Sequence, residues 1–291
     1  MYAVTGITGR VGGVTGRTLQ NAGLSVRAVV RDAAKGAAWK QRGCEVAVAD
    51  INDAPALTAA FTGVSGVFVL LPSNFDPMPG FPEARAVITT VTTAIEAAKP
   101  PKVVCLSTIG AQATQPNLLN QLGLMEQALG ALPMPVCFLR PAWFMENASW
   151  DVAPARDTGV ISSFLQPLDK PVPMVATADV GRVAAELLQE TWTGRRIVEL
   201  EGATRVTPNQ IAATFAEIFS HPVQAQAVPR QTWEQLFKSQ GMKYPGPRIQ
   251  MLDGFNQAWI EFEQDETRRR KGQIGLKEVL TGLAGGNSTE A

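Results

Sequence analysis

Three glycines near the start of the chain, Gly6, Gly9 and Gly12, follow the apolar run Tyr2-Ala3-Val4-Thr5 and precede a helical pattern. In that context each has its own physical use. The first permits a tight turn out of a strand. The second lets the backbone approach a pyrophosphate where a Cβ would collide, and the third lets the next helix pack closely. A helix starting there offers free N–H groups and the positive end of its dipole, which together attract an anion. A GxxGxxG string alone is a weak signal, but between a strand and a helix it predicts a dinucleotide-binding turn. Thr8, Arg10 and Val11 belong to the same loop and are candidate contacts.

The second strand-like run, Val26–Val30, is followed by Arg31, Asp32 and Lys35. A site for NAD usually places an acid about 20 residues after the loop, where it bonds the ribose 2′-hydroxyl. Arg31 occupies the first position past the strand here. With Lys35 and Arg10 it supplies cations suited to a 2′-phosphate, which favours NADP(H) over NAD(H). The competing possibility puts Arg31 at the surface and gives Asp32 the acid's role. Asp50, after the third strand, is placed to accept from an adenine amine, and Ile51 to cover the ring.

Other chemistries have few residues to work with. A single histidine, His221, and the absence of any CxxC spacing argue against a metal site, so none is expected. Cys44, Cys105 and Cys137 are odd in number and sit in or beside strand-like runs, which predicts buried reduced thiols rather than a disulfide framework. Lys plus Arg equals Asp plus Glu, 26 of each, so no net charge draws the chain to nucleic acid or an anionic membrane. The basic run Arg268–Lys271 follows Glu261, Glu263, Asp265 and Glu266 and is expected to be a solvated helix face of alternating sign. With no long apolar stretch and no cleavable leader pattern, the expectation is a cytoplasmic protein. A homodimer is left open as its assembly.

The elements that must position the glycine turn are readable by alternation. Strand-like runs at Tyr2–Thr5, Val26–Val30, Glu45–Val48, Gly66–Leu71, Val103–Ser107 and Val136–Leu139 are separated by helical patterns. Val67-Phe68-Val69-Leu70-Leu71 is apolar throughout, as a strand buried on both faces should be. The fold class is therefore α/β, a Rossmann-type doubly wound parallel sheet with a smaller C-terminal α/β substrate lobe. The expected domains are a dinucleotide-binding unit over 1–150, to which some later segments return, a substrate lobe over 151–285, and a disordered tail over 286–291. Beyond 141 the expected elements are helices at Ala178–Glu190, Pro208–Phe219, Trp233–Gln240 and Pro247–Glu263, and a strand at Ile197–Leu200. Thr207 should cap the second of these helices.

Several strings together resemble the NmrA-like branch of the atypical short-chain dehydrogenases/reductases. They are TGITGRVGG at the start, AVVRD, VADIND, LSTIGA, LRPAWFMEN at 139–147 and ATADVGRVAAELL at 176–188. The resemblance runs to about residue 230. That family holds NAD(P)H-dependent quinone, azo-dye and triphenylmethane-dye reductases, isoflavone-type reductases, and redox sensors that only bind NADP. The resemblance implies that Leu70, Leu71 and Pro72 pass under the nicotinamide ribose. It also implies that Pro141–Asn147 enters the cleft, with Trp143, Phe144, Met145 and Asn147 as substrate-pocket candidates.

The chain departs from the ordinary short-chain dehydrogenase at the acid. That chemistry uses Tyr-x-x-x-Lys, in which lysine lowers the phenol pKa. Only Tyr2 and Tyr244 are present, and Tyr244 is followed four residues later by Arg248. No catalytic residue is therefore assigned. Hydride transfer remains open for acceptors needing little acid help, such as quinones, azo compounds and cationic dyes, where the protein supplies proximity and an apolar slot. Ser107, Thr108, Asn120 and Gln121 are candidate donors to such an acceptor. The alternative is a non-catalytic NADP(H)-binding redox sensor or regulator of the NmrA type.

Overall fold

A computed structural model of the chain describes residues 1–286. Its strands are β1 (Tyr2–Val4), β2 (Val26–Val30), β3 (Glu45–Val48), β4 (Gly66–Leu70), β5 (Val103–Leu106), β6 (Val136–Pro141), β7 (Trp143–Phe144), β8 (Val160–Ser163), β9 (Met174–Val175), β10 (Arg195–Glu201), β11 (Gln224–Ala227) and β12 (Arg270–Lys271). Eight of them form one sheet in the order β12-β10-β6-β5-β4-β1-β2-β3, and every pairing in it is parallel. Parallel neighbours need crossovers. The helices α1 (Arg10–Asn21), α2 (Ala33–Gln41), α3 (Ala54–Phe61), α4 (Pro82–Ala98) and α5 (Asn120–Leu129) supply them. The chain direction reverses across the sheet between β1 and β4, and ligands of such sheets bind at the strand ends beside that reversal.

Period-two alternation splits the core between two faces. Ala3, Val67, Val69, Val103 and Cys105 face α3, α4 and α5. Val4, Phe68 and Val104 face the other way, toward α1 and α7 (Thr177–Gln189), which follows α6 (Val152–Thr158). Phe68 is fully buried, and that burial alone contributes roughly 2–3 kcal/mol. Small residues set the approach of α1 and α7: a Cβ on Gly181 would lie 2.5 Å from Val14 Cβ. Cys44, Cys105 and Cys137 are buried free thiols, and burial pushes the Cys137 thiol up to about 12.

β10 and β12 join the large sheet, so later chain contributes to it. The remaining elements lie beside the C-terminal strand ends: the β8–β11 and β7–β9 pairs, α6, α8 (Pro208–Phe219), α9 (Trp233–Ser239), α10 (Gly246–Asn256) and α11 (Leu276–Ala284). Thr207 caps α8 as expected, accepting from Gln210 N–H at 3.0 Å while Gln210 Oε1 accepts from Thr207 N–H at 2.8 Å.

Two expectations are corrected. The helix expected to run to Glu263 stops at Asn256. Ala258 takes a left-handed conformation (φ 65°), and the N–H groups of Trp259 and Ile260 return to the Gly254 carbonyl at 3.0 and 3.1 Å. Ile260 then packs so close to Gly254 that a Cβ there would meet its Cδ1 at 2.5 Å. Nor is the basic run a helix face. Arg270 and Lys271 form the edge strand β12 and are paired internally, Arg270 with Glu186 and Glu190, Lys271 with Glu201 and Glu266. Arg269 also pairs with Glu201. The tail expected over 286–291 lies, from residue 287, outside the described residues.

Candidate functional site

Gly6 leaves β1 in the left-handed region (φ 58°), which strains any residue with a Cβ. A Cβ there would also come within 2.7 Å of Leu70 Cδ2, so this turn and the end of β4 touch. Gly9 N–H bonds the Gly6 carbonyl at 2.9 Å and closes the turn. At Gly12 a Cβ would sit 2.3 Å from the Gly6 carbonyl oxygen, so this glycine serves the turn itself. The N-cap of α1 is Gly9, with no side chain bonded to the helix end and no acid in its first turn. Around Gly9, the nearest atom to a built Cβ is Gly6 O at 3.3 Å. This open, glycine-lined helix start fits a pyrophosphate.

Arg10, the first residue of α1, is turned toward the segment after β7, its Nη1 3.5 Å from the Glu146 carbonyl. Arg31, just past β2, and Lys35, in the first turn of α2, are exposed, and neither side chain bonds a described residue. Asp32 instead caps α2, accepting from Ala34 N–H at 2.9 Å. Asp50 is exposed after β3, with Oδ1 accepting from Asn52 N–H and Nδ2, and Ile51 beside it is half-buried.

Along the same edge of the sheet lies a cavity of about 280 Å³. The ends of β4, β5 and β6 supply Leu71, Pro72, Ser107, Thr108 and Ala142, and β7 supplies Trp143 and Phe144. Gln121 and Asn147 also line it. Its far wall is α10, through Met251 and Phe255, with the Phe255 and Trp143 rings edge to face at 5.2 Å. Phe75 completes the wall from the loop after β4. That loop is fixed twice: Gln121 Nε2 donates to Asn74 O at 3.2 Å, and Asp76 accepts from the N–H groups of Lys243 and Tyr244. No residue lining this cavity carries an ionisable acid or base, and neither Tyr2 nor Tyr244 lines it.

The expected polar donors are otherwise engaged. Ser107 Oγ donates to Glu126 Oε1 at 2.5 Å, and Arg140 forks onto the same carboxylate at 2.8 and 2.7 Å. Glu126 and Arg140 are buried, and Arg140 also pairs with Glu263. Burial opposes the Arg140 charge, but hydrogen bonds and charges of Glu126 and Glu263 outweigh it and hold the guanidinium above its ordinary pKa. Thr108 Oγ1 donates to the Ile109 carbonyl at 3.1 Å. Asn120 does not line the cavity: its Nδ2 donates to Ala113 O at 3.0 Å and its Oδ1 accepts from Asn117 N–H at 2.7 Å. Met145 is buried core and faces a second cavity instead of the first. Sequence reasoning missed Phe75, Met251 and Phe255. The last two sit on an apolar helical pattern indistinguishable from core.

A parallel sheet with a glycine turn at its reversal point and an apolar chamber at the same strand ends define a dinucleotide-binding class. The chain belongs to the NmrA-like family, whose pattern matches residues 2–266. It is 29% identical over 244 residues to an NAD(P)H azoreductase of Xenophilus azovorans, which covers 83% of this chain and 82% of the relative. Among solved structures, an NADPH-dependent quinone oxidoreductase of Escherichia coli complexed with NADPH superposes with a TM-score of 0.81 at 23% identity, covering 97% of this chain and 99% of the other. Triphenylmethane reductase of Citrobacter sp. gives 0.80 at 22% identity, covering 97% and 98%. Among the described residues no helix is long and apolar enough to cross a membrane.

Proposed function

We propose that the chain is an NAD(P)H-dependent reductase of flat aromatic acceptors of the quinone, azo or dye kind. The observation that carries this is the apolar chamber on the glycine-turn edge of the sheet, lined by Trp143, Phe144 and Phe255 and by no ionisable side chain. The nicotinamide supplies a hydride when bound. The N-terminus of α1 and the Gly6–Gly12 backbone are the residues that would hold its pyrophosphate, with Leu70, Leu71 and Pro72 beside the adjoining ribose. Trp143 and Phe255 would position the acceptor ring beside the nicotinamide, while the open side of the cavity admits water. An acceptor whose reduced form is delocalised takes its proton from water, so the wall needs no acid. The azoreductase, quinone oxidoreductase and triphenylmethane reductase relatives support the same class of acceptor.

Within this reading NADP(H) is preferred over NAD(H). Support comes from Arg31 and Lys35, both exposed and with side chains that bond no described residue, and from the engagement of Asp32 in capping α2. Loss of a charge-assisted bond costs about 1.5–3 kcal/mol, so Arg31→Ala should weaken NADPH roughly 10- to 100-fold and leave NADH nearly unchanged. Equal weakening of both cofactors would remove Arg31 from the 2′-phosphate. For the activity, purified protein with NADPH and a panel of quinones, azo compounds and triphenylmethane dyes should consume the reduced nicotinamide absorbance. Tight NADPH binding with no turnover on any acceptor would replace the reductase by a cofactor-sensing protein.

A further inference from the structure

Beyond Trp143 lies the second cavity, of about 300 Å³, which shares Phe75, Trp143, Asn147 and Met251 with the first. The two therefore adjoin at these side chains, and a ligand reaching from one to the other would extend beyond a single ring system. Most of the second wall is apolar: Ile161, Phe164, Leu165, Met174 and Ile211 among others. Two of its residues ionise, Asp151 and Arg248.

Arg248 is the arginine that lines this cavity. It is half-buried, its guanidinium sits 4.6 Å from the Phe237 ring centre and 5.9 Å from that of Phe75, and no carboxylate pairs with it among the described residues. None of its N–H donors bonds a described residue either, while the buried Arg140 satisfies its own with Glu126 and Glu263. Burial lowers the Arg248 pKa, yet a guanidinium keeps its charge at physiological pH. Two flanking rings hold the group in place, so little side-chain freedom is left to lose when a ligand binds. Asp151 is the one carboxylate in the same wall; burial pushes it up to about 6, which leaves it mostly ionised at neutral pH, but it forms no ion pair with Arg248.

We infer that Arg248 is an anion anchor in the second cavity, near its junction with the first at Phe75, binding the sulfonate or carboxylate borne by an aromatic acceptor whose ring occupies the first cavity. A planar guanidinium with unused donors matches a sulfonate or carboxylate through paired N–H···O bonds. The inference rests on the acceptor reading of the first cavity and goes beyond it by naming the charge on the acceptor.

The test compares anthraquinone-2-sulfonate with neutral 2-methylanthraquinone, by quenching of intrinsic tryptophan fluorescence and by KM and kcat with NADPH. The sulfonate should bind at least about tenfold tighter to the wild type, and Arg248→Gln should erase that advantage while leaving the neutral quinone unchanged. Arg248→Lys should retain part of it, since it keeps the charge but not the paired bonds, which separates the two contributions. Unaltered sulfonate preference in Arg248→Gln, or no preference in the wild type, overturns the anchor and leaves the reductase reading standing. Failure of both quinones to bind at all would overturn the acceptor reading and the anchor with it.

Discussion

The glycine turn and the apolar chamber sit on one edge of the same sheet but are built in opposite ways. The turn is made by seven consecutive residues, Gly6–Gly12, whose backbone does the work and whose missing side chains are its specification. The chamber is assembled from the ends of β4, β5 and β6, from β7 and from α10, segments up to 184 positions apart between Leu71 and Phe255. Side chains make it, and the polar groups of Ser107, Thr108 and Gln121 are bonded to the protein itself. A backbone site tolerates almost no substitution at its glycines. A side-chain chamber can lose a polar group and keep its shape.

Predictions that bear on this contrast run from large to small. Gly12→Ala should be the most damaging, since the added methyl meets a backbone carbonyl that cannot step aside. Overpacking of about 1–3 kcal/mol corresponds to NADPH affinity weaker by up to about 100-fold, read by fluorescence titration. Affinity within a factor of two of wild type would show that the turn gives way more easily than its geometry implies.

A second effect belongs to the far cavity. Burial raises the Asp151 carboxyl to about 6, above its unfolded value of roughly 4. The folded state therefore disfavours the ionised form. The penalty is fully present above pH 6 and fades as pH falls through the window from about 6 to about 4. Asp151→Asn should stabilise the protein at pH 8 by on the order of 2 kcal/mol, after allowance for partial exposure, and by almost nothing near pH 4. Thermal denaturation at the two pH values measures this, and an equal change at both would contradict the assignment.

The smallest effect is expected at Ser107. Its hydroxyl hydrogen already belongs to Glu126, so Ser107→Ala should change kcat for a quinone by less than about threefold and cost about 1 kcal/mol of stability. A hundredfold fall in kcat would make it the missing proton donor and reverse the contrast.

These differences explain what the sequence revealed. Gly6, Gly9 and Gly12 are legible because the constraint is local: strand, turn and helix follow within a few residues. The sheet was legible for the same reason, through runs such as Val67–Leu71. Phe255 was not, because nothing in an apolar helix pattern says which side chain meets Trp143 across the fold. The segment after Asn256 misled for a definite reason. Trp259 and Ile260 continue the helical spacing of apolar residues, while the left-handed turn falls on Ala258 rather than on a glycine that would have signalled it. Likewise, the basic run 268–271 reads as a solvated face because its partners Glu186, Glu190 and Glu201 come from distant chain.

The wall of the first chamber, without an ionisable group, has a consequence for selectivity. A pocket that brings its own acid can force reaction on a reluctant substrate. One that brings only shape and a neighbouring hydride donor lets each incoming molecule's own reduction potential decide the rate. Substitutions at Phe75, Met251 or Phe255 would then change which molecules are admitted, while the pace of their reduction would follow the molecules themselves.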